Sequence, residues 1–133
     1  PQKTANLAEE IRECSSCPIS VSDFDPEHVK EEIAKAKIVV NTTPIGMFPN
    51  VGESPVPDNA FNKGQFVFDA IYNPMETLML RQAREAGART MNGIPMFVGQ
   101  GAEQFRLWTG QEPPIDVMTR VVEEALSGRV TSQ

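Results

Sequence analysis

Ile38-Val39-Val40-Asn41-Thr42-Thr43-Pro44-Ile45-Gly46-Met47 is the stretch that decides the fold. Three β-branched residues in an unbroken run suit a strand buried on both faces of a parallel sheet. The run stops at Asn41, and residues 41–57 are rich in Pro, Gly, Asn and Thr, which predicts a long loop. The same design recurs twice downstream. Phe66-Val67-Phe68 is a second apolar strand, running into Asp69-Ala70-Ile71-Tyr72-Asn73-Pro74. Arg89-Thr90-Met91 is a third, running into Asn92-Gly93-Ile94-Pro95-Met96.

Helical periodicity fills the intervals. Thr4 to Glu13 carries Leu7, Ala8 and Ile11 on one face. Asp25-Pro26-Glu27 opens a helix, with Asp25 as cap, Pro26 in the first position and Val29, Ile33 and Ala36 inside. By the same logic Asn73-Pro74 opens another, lined by Met75, Leu78, Met79, Ala83 and Ala86 and ended by Gly87. Pro95 to Thr109 and Pro114 to Leu126 are two more. The last has the stripe Ile115, Met118, Val122, Ala125 and Leu126, with Gly128 as its end. A short alternating run, Ile19-Ser20-Val21-Ser22, predicts one further strand. Strands alternating with helices imply right-handed crossovers, hence an α/β fold with a parallel sheet between helical layers.

With 133 residues there is material for one small domain and not for two. Against 18 acidic residues stand 12 basic ones, a net charge of −6 with no basic cluster. That balance argues against nucleic acid or an anionic membrane as partner, and no apolar run is long enough to span a bilayer. The chain opens at Pro1 directly into a helical pattern, with no secretory signal, so it reads as a piece of something longer. Cys14 and Cys17 are spaced C-x-x-C but follow a helix, and no second cysteine pair or histidine cluster accompanies them. Ordinary reduced thiols, no metal and a cytoplasmic setting are expected. His28, in the first turn of its helix, is expected to face solvent.

In an open parallel sheet, ligands bind beyond the carboxyl ends of the strands. All three unusual segments would converge there, offering hydroxyls, amides, a phenol and glycines that let a ligand approach backbone closely. Strand ends carry Gly and Pro for turns with or without a ligand. One such segment decides nothing; three on one edge suggest a binding site without naming what it binds.

The segments also match a known pattern in order and spacing. Asn41 to Met47 resembles the N-x-T-x-x-G-M loop of shikimate dehydrogenases. Asp69 to Pro74, with Thr77, resembles that family's D-x-x-Y-x-P-x-x-T. Asn92 to Ala102, with Phe105 and Trp108-Thr109-Gly110, resembles its N-G-x-x-M-L-x-x-Q-x-A-x-x-F-x-x-W-T-G signature. The likeness runs from Lys3 to Leu126 and implies a Rossmann-like, NADP-binding domain, truncated of its first two strands and Gly-rich loop, with C-terminal helices. The family interconverts 3-dehydroshikimate and shikimate by hydride transfer. The resemblance places Tyr72 and Gln100 on the substrate. It lays the loop with Asn41, Thr42, Thr43, Gly46 and Met47 along the cofactor, Ala70 touching it through backbone, and sets the Gly93 carbonyl on the nicotinamide amide. Lys3 matches the end of the N-R-T-x-x-[RK] segment that holds the 2′-phosphate. Asp69 is expected to hydrogen-bond at its strand end rather than act as an acid, and Phe105 and Trp108 to pack.

The family's catalytic lysine and aspartate belong to N-x-T-x-P-x-K and G-x-N-T-D blocks of an N-terminal substrate domain. Neither block occurs in this sequence. The expectation is therefore a fragment, residues 1–133 of a partial cofactor domain, with no catalytic residue of its own. Three other readings stay open: a quinate/shikimate dehydrogenase relative, a non-catalytic binding module, and the C-terminal part of a multifunctional protein. With its first strands missing, the strand Ile38 to Val40 is left as a bare apolar edge that invites edge-to-edge self-association.

Overall fold

A computed structural model describes residues 2–129. Its elements run α1 (Gln2–Cys14), α2 (Pro26–Lys35), β1 (Ile38–Asn41), β2 (Phe66–Asp69), α3 (Leu78–Glu85), β3 (Arg89–Met91), α4 (Ile94–Thr109) and α5 (Ile115–Arg129). The three strands form one sheet in the order β1-β2-β3, parallel throughout. Ile38 lies opposite Phe66, which lies opposite Arg89; Asn41 lies opposite Asp69. The α/β architecture and the convergence of the three strand ends follow from that parallel register.

One face of the sheet carries the main core. Val67 is fully buried, with Val39 beside it, beneath Ile33 of α2, Met79, Leu80 and Ala83 of α3, and Val56, Ala60 and Phe61 from the long loop. Gln65, just ahead of β2, fastens α2 to this core by donating to the carbonyls of Ile33 and Ala36 at 2.6 and 2.8 Å. A second, smaller cluster joins α4 to α5 through Ile94, Val98 and Leu126, with Met75, Met118 and Val122 against it.

Several expectations need correction. Ile38 to Val40 is not buried on both faces: Ile38 and Val40 are exposed, and only Val39 and Asn41 turn inward. Helices α2 and α3 pack on the Val39–Val67 side, and Met91, on the same face as Val40 and Phe68, is exposed as well. Ile19 to Ser22 is not a strand. No strand of the sheet lies alongside it, and the Ile19 carbonyl accepts from the Arg12 guanidinium at 2.8 Å in place of a ladder amide. The helix expected from Asn73-Pro74 begins later, because Thr77 is its cap: the Thr77 hydroxyl accepts from the Leu80 amide at 3.3 Å. Gly128 does not end α5, which continues to Arg129. Its inward stripe is Met118, Val122 and Leu126, while Ile115 and Ala125 face out. In α1 Ala8 is buried, whereas Leu7 and Ile11 are exposed. Trp108 is 81% exposed and does not pack.

Other local readings agree with the structure. Asp25 caps α2, accepting from the Glu27 and His28 amides at 3.1 and 3.4 Å, and His28 is exposed. Gly87 follows α3 with a φ of +82°, a left-handed turn that favours glycine. No helix among the described residues is long and apolar enough to cross a membrane.

Candidate functional site

The carboxyl ends of β1, β2 and β3 lead into the three segments singled out by sequence, and hydrogen bonds knit these into one surface. The Ala70 amide donates to the Asn41 carbonyl at 2.9 Å, continuing the β1–β2 ladder beyond the strands. The Phe48 amide donates to the Asn73 carbonyl at 3.0 Å, closing the first loop on the second. The Gly93 amide donates to the Ile71 carbonyl at 2.9 Å, and the Asn92 side chain donates to the Met75 carbonyl at 3.0 Å. Tyr72 stacks on Phe97 of α4, with ring centroids 4.5 Å apart and planes at 27°.

Beneath this surface lies a buried polar cluster. Asp69 is wholly inaccessible. One of its oxygens accepts from the Asn41 side-chain amide and the Ile71 backbone amide, both at 3.1 Å; the other accepts from the Thr77 hydroxyl at 2.7 Å. Asn41 turns its own carbonyl to Thr43, accepting from the amide at 2.9 Å and the hydroxyl at 2.7 Å. A carboxylate only accepts, so Asp69 suits a place where every neighbour donates. Its expected role as a hydrogen-bonding residue at a strand end is what the geometry shows.

Two shallow clefts flank the ridge Thr42-Thr43. The first, about 420 Å³, is walled by Pro44, Met47 and Phe48 on one side and by Ala70, Ile71, Tyr72 and Asn73 on the other, with Leu126 of α5 at its edge. That volume falls within the usual range for small-molecule sites, and no charged side chain lines it. The second, about 400 Å³, runs beside β1 past Val40 and Asn41 to Asp23, Phe24 and Glu32. His28 Nδ1 lies 2.9 Å from Asp23 Oδ1 there. That hydrogen bond holds the Asp23 carboxyl below its ordinary value and raises the His28 imidazole.

The structure gathers most of the sequence-predicted residues. Thr42, Thr43, Met47, Ala70 and Tyr72 line the first cleft; Asn41 lines the second and braces the ridge. Gly46 stands in the loop with a φ of +92°, where a Cβ would come 2.8 Å from the Glu53 carbonyl oxygen. Gln100 is exposed on α4, one turn beyond Phe97, the residue stacked on Tyr72. Gly93 caps α4, and its carbonyl accepts from the Phe97 amide at 2.9 Å, leaving one lone pair for a ligand. Lys3 is exposed in the first turn of α1 and lines neither cleft. Sequence reasoning gave Phe97 and Leu126 no role at the site. Phe97 lay inside a quoted motif and Leu126 on an apolar stripe, and nothing in either pattern marks a cleft wall.

Residues 93–123 match the family model described as the shikimate 5′-dehydrogenase C-terminal domain. The shikimate dehydrogenase (NADP(+)) of Methanosarcina mazei is 42% identical over 125 residues, 94% of this chain and 44% of that protein. The chain is similar to the shikimate dehydrogenases. It matches the family's C-terminal portion and spans less than half the length of that relative. Among solved structures, the Listeria monocytogenes shikimate 5-dehydrogenase, in complex with shikimate and NAD, superposes with a TM-score of 0.81 at 33% identity. The match covers 90% of this chain and 42% of that one. Quinate dehydrogenase from Corynebacterium glutamicum, in complex with NAD, gives a TM-score of 0.66 at 36% identity, over 72% of this chain and 34% of that one. The Rossmann-like reading of the fold therefore stands.

Proposed function

We propose that this chain is the C-terminal part of an NADP-dependent shikimate dehydrogenase, which reduces 3-dehydroshikimate with NADPH to shikimate and NADP⁺. The first cleft then holds the nicotinamide end of the cofactor against the substrate. The observation that carries this reading is the uncharged cleft at the carboxyl ends of parallel strands, lined by Thr42 and Tyr72 between apolar walls, with the Thr43 hydroxyl turned to Asn41.

A nicotinamide–ribose unit joins a near-flat ring, uncharged in its reduced form, to a sugar rich in hydrogen-bonding groups, and the lining fits it. The lining carries no cation for phosphates, so the pyrophosphate and 2′-phosphate would be held by residues outside the cleft. Lys3 is the candidate for the latter by resemblance. When bound, the cofactor supplies the hydride. This chain's residues orient and enclose: Met47 and Pro44 press on the cofactor side, the Gly93 carbonyl fixes the carboxamide, Ala70 offers backbone, and Asn41 and Gly46 shape the loop. Tyr72 and Gln100 present a phenol and an amide to the ring hydroxyls of the substrate. An N-terminal domain supplies the lysine and aspartate that handle the proton, and the chain by itself is inactive. The likeness to a quinate dehydrogenase bound to NAD keeps quinate and NAD as the second reading.

In the full-length protein, Tyr72→Phe and Gln100→Ala are expected to weaken shikimate about two- to twelvefold each, the cost of one lost hydrogen bond. The NADP⁺ constant should stay put. Titration of each ligand separately decides: a moved cofactor constant with an unmoved substrate constant would show that these residues serve the other ligand. The same titrations with NAD⁺ and quinate separate the second reading.

As a partner of the chain on its own, a second copy is proposed. β1 pairs only with β2, and its exposed Ile38 and Val40 border that unpaired edge. Sedimentation is expected to show concentration-dependent association, reduced by Val40→Lys. A monomer at all concentrations, with Ile38 to Val40 exchanging amide hydrogens rapidly, would refute it.

A further inference from the structure

The cluster under the cleft suggests a function for a residue that touches neither cofactor nor substrate. We propose that Asp69 is the positioning residue that sets both walls of the first cleft, so that the Thr43 and Tyr72 sides are held in register by one buried carboxylate. The proposal deepens the reading of this cleft as the ligand site and rests on it.

The argument is one of connectivity. The cleft has two walls from different strands, residues 42–48 after β1 and residues 70–73 after β2. Asp69 Oδ1 is bonded to both: to Asn41, whose carbonyl in turn fixes the amide and hydroxyl of Thr43, and to the amide of Ile71, the residue before Tyr72. Asp69 Oδ2 is anchored by Thr77, the cap of α3, so the carboxylate cannot rotate without breaking its bond to the capping hydroxyl. Asn41, Asp69 and Thr77 are 5%, 0% and 1% exposed, so water is not at hand to replace a lost partner, and a buried group left unmatched bears the full desolvation cost. Ile71 is held from the other side too, its carbonyl accepting from Gly93. Rotating or removing the carboxylate therefore frees Thr43 through Asn41 and Ile71 directly. An asparagine at 69 is close in shape, but its amide must either face the donors of Asn41 and Ile71 or face Thr77, whose hydroxyl proton then loses its acceptor.

The test is hydrogen exchange at the Thr43 and Ile71 amides of the ligand-free, full-length protein, followed by titration with NADP⁺ and with shikimate. Asp69→Asn is expected to speed exchange at both amides by about tenfold or more and to weaken both ligands by about fivefold or more. Leu80→Ala, a core truncation in α3, serves as control: it lowers stability but should leave both amides and both ligand constants near wild type. The informative site is Thr43, which Asp69 does not touch. If Asp69→Asn speeds Ile71 alone, or leaves the ligand constants where Leu80→Ala leaves them, Asp69 is merely structural and the proposal is overturned. If the wild-type protein binds neither ligand, the reading of the cleft fails, while exchange at Thr43 still decides whether Asp69 sets the walls. Should Asp69→Asn not fold, Thr77→Val and Thr77→Ser answer the same question. Valine removes the hydroxyl that anchors Oδ2 and should speed Thr43; serine keeps it and should not.

Discussion

Gly93→Val is expected to abolish measurable cofactor binding in the full-length protein, and Gly93→Ala to come close to doing so. Gly93 has φ −76° and ψ −4°, a conformation any residue adopts, so glycine is not required by the backbone angles. It is required by space. A Cβ built there would sit 2.1 Å from the Ala70 carbonyl oxygen, 2.6 Å from its carbon and 3.0 Å from the Ile71 carbon. All three are backbone atoms, so no side chain can swing aside. Relief needs the segment Ala70-Ile71 to retreat by roughly 1 Å, and misplacement on that scale costs about a hundredfold where geometry matters. The same retreat breaks the bond from the Gly93 amide to the Ile71 carbonyl and shifts Tyr72. The clash already exists at Cβ, so alanine suffices; valine adds bulk. Gly99→Ala is the control: it lies on the same helix, and its Cβ would meet nothing within 4 Å. NADP⁺ titration with a thermal melt checks the pair, and wild-type affinity in Gly93→Ala would show that the strand-end segments do not form one unit.

This glycine also shows what the sequence could and could not convey. Its place after the third strand was legible, as was the convergence of three strand ends, because β-branched runs alternating with helical stripes leave few topologies open. That the close approach at Gly93 is to Ala70, within the protein itself, was not, since a glycine looks the same whichever backbone comes near it. Asp69 is similar. A strand-end aspartate was readable as a hydrogen-bonding residue, but its three donors come from positions 41, 71 and 77, and pairings that distant in sequence are set by register. The misplaced elements have a common cause. Ile19 to Ser22 and the outer face of Ile38 to Val40 satisfy local strand patterns, yet strands are completed by neighbours, and the described residues offer none on that side. Thr77 outcompeted Asn73 as a cap for a reason local pattern could not rank: its hydroxyl also serves Asp69.

The chain alone is expected to give no turnover with shikimate and NADP⁺, a deficit larger than any single substitution would produce. Its hydroxyls and amides can enclose a nicotinamide and a polyol, but reduction of a ketone also needs a proton delivered to the developing alkoxide. The residues lining the first cleft include no acid, no lysine and no histidine. A missing donor of that kind costs about 10²–10⁴-fold. The pyrophosphate and 2′-phosphate have no cationic cradle in that lining either, so the cofactor would be held at one end, and lost positioning multiplies the deficit. Family members of ordinary efficiency should turn over at about 1 s⁻¹ or faster. A steady-state assay on residues 1–133 that reached this range would mean that the chain contains its own acid and phosphate site, and the partial-domain reading would fall. Joining to the chain the remainder of a relative such as the Methanosarcina mazei enzyme, of which the present residues match 44%, should restore turnover. In that joined protein Tyr72→Phe and Gln100→Ala should again act on the substrate. Restoration without any effect of these two residues would mean that the cleft is in place but its contacts are misassigned.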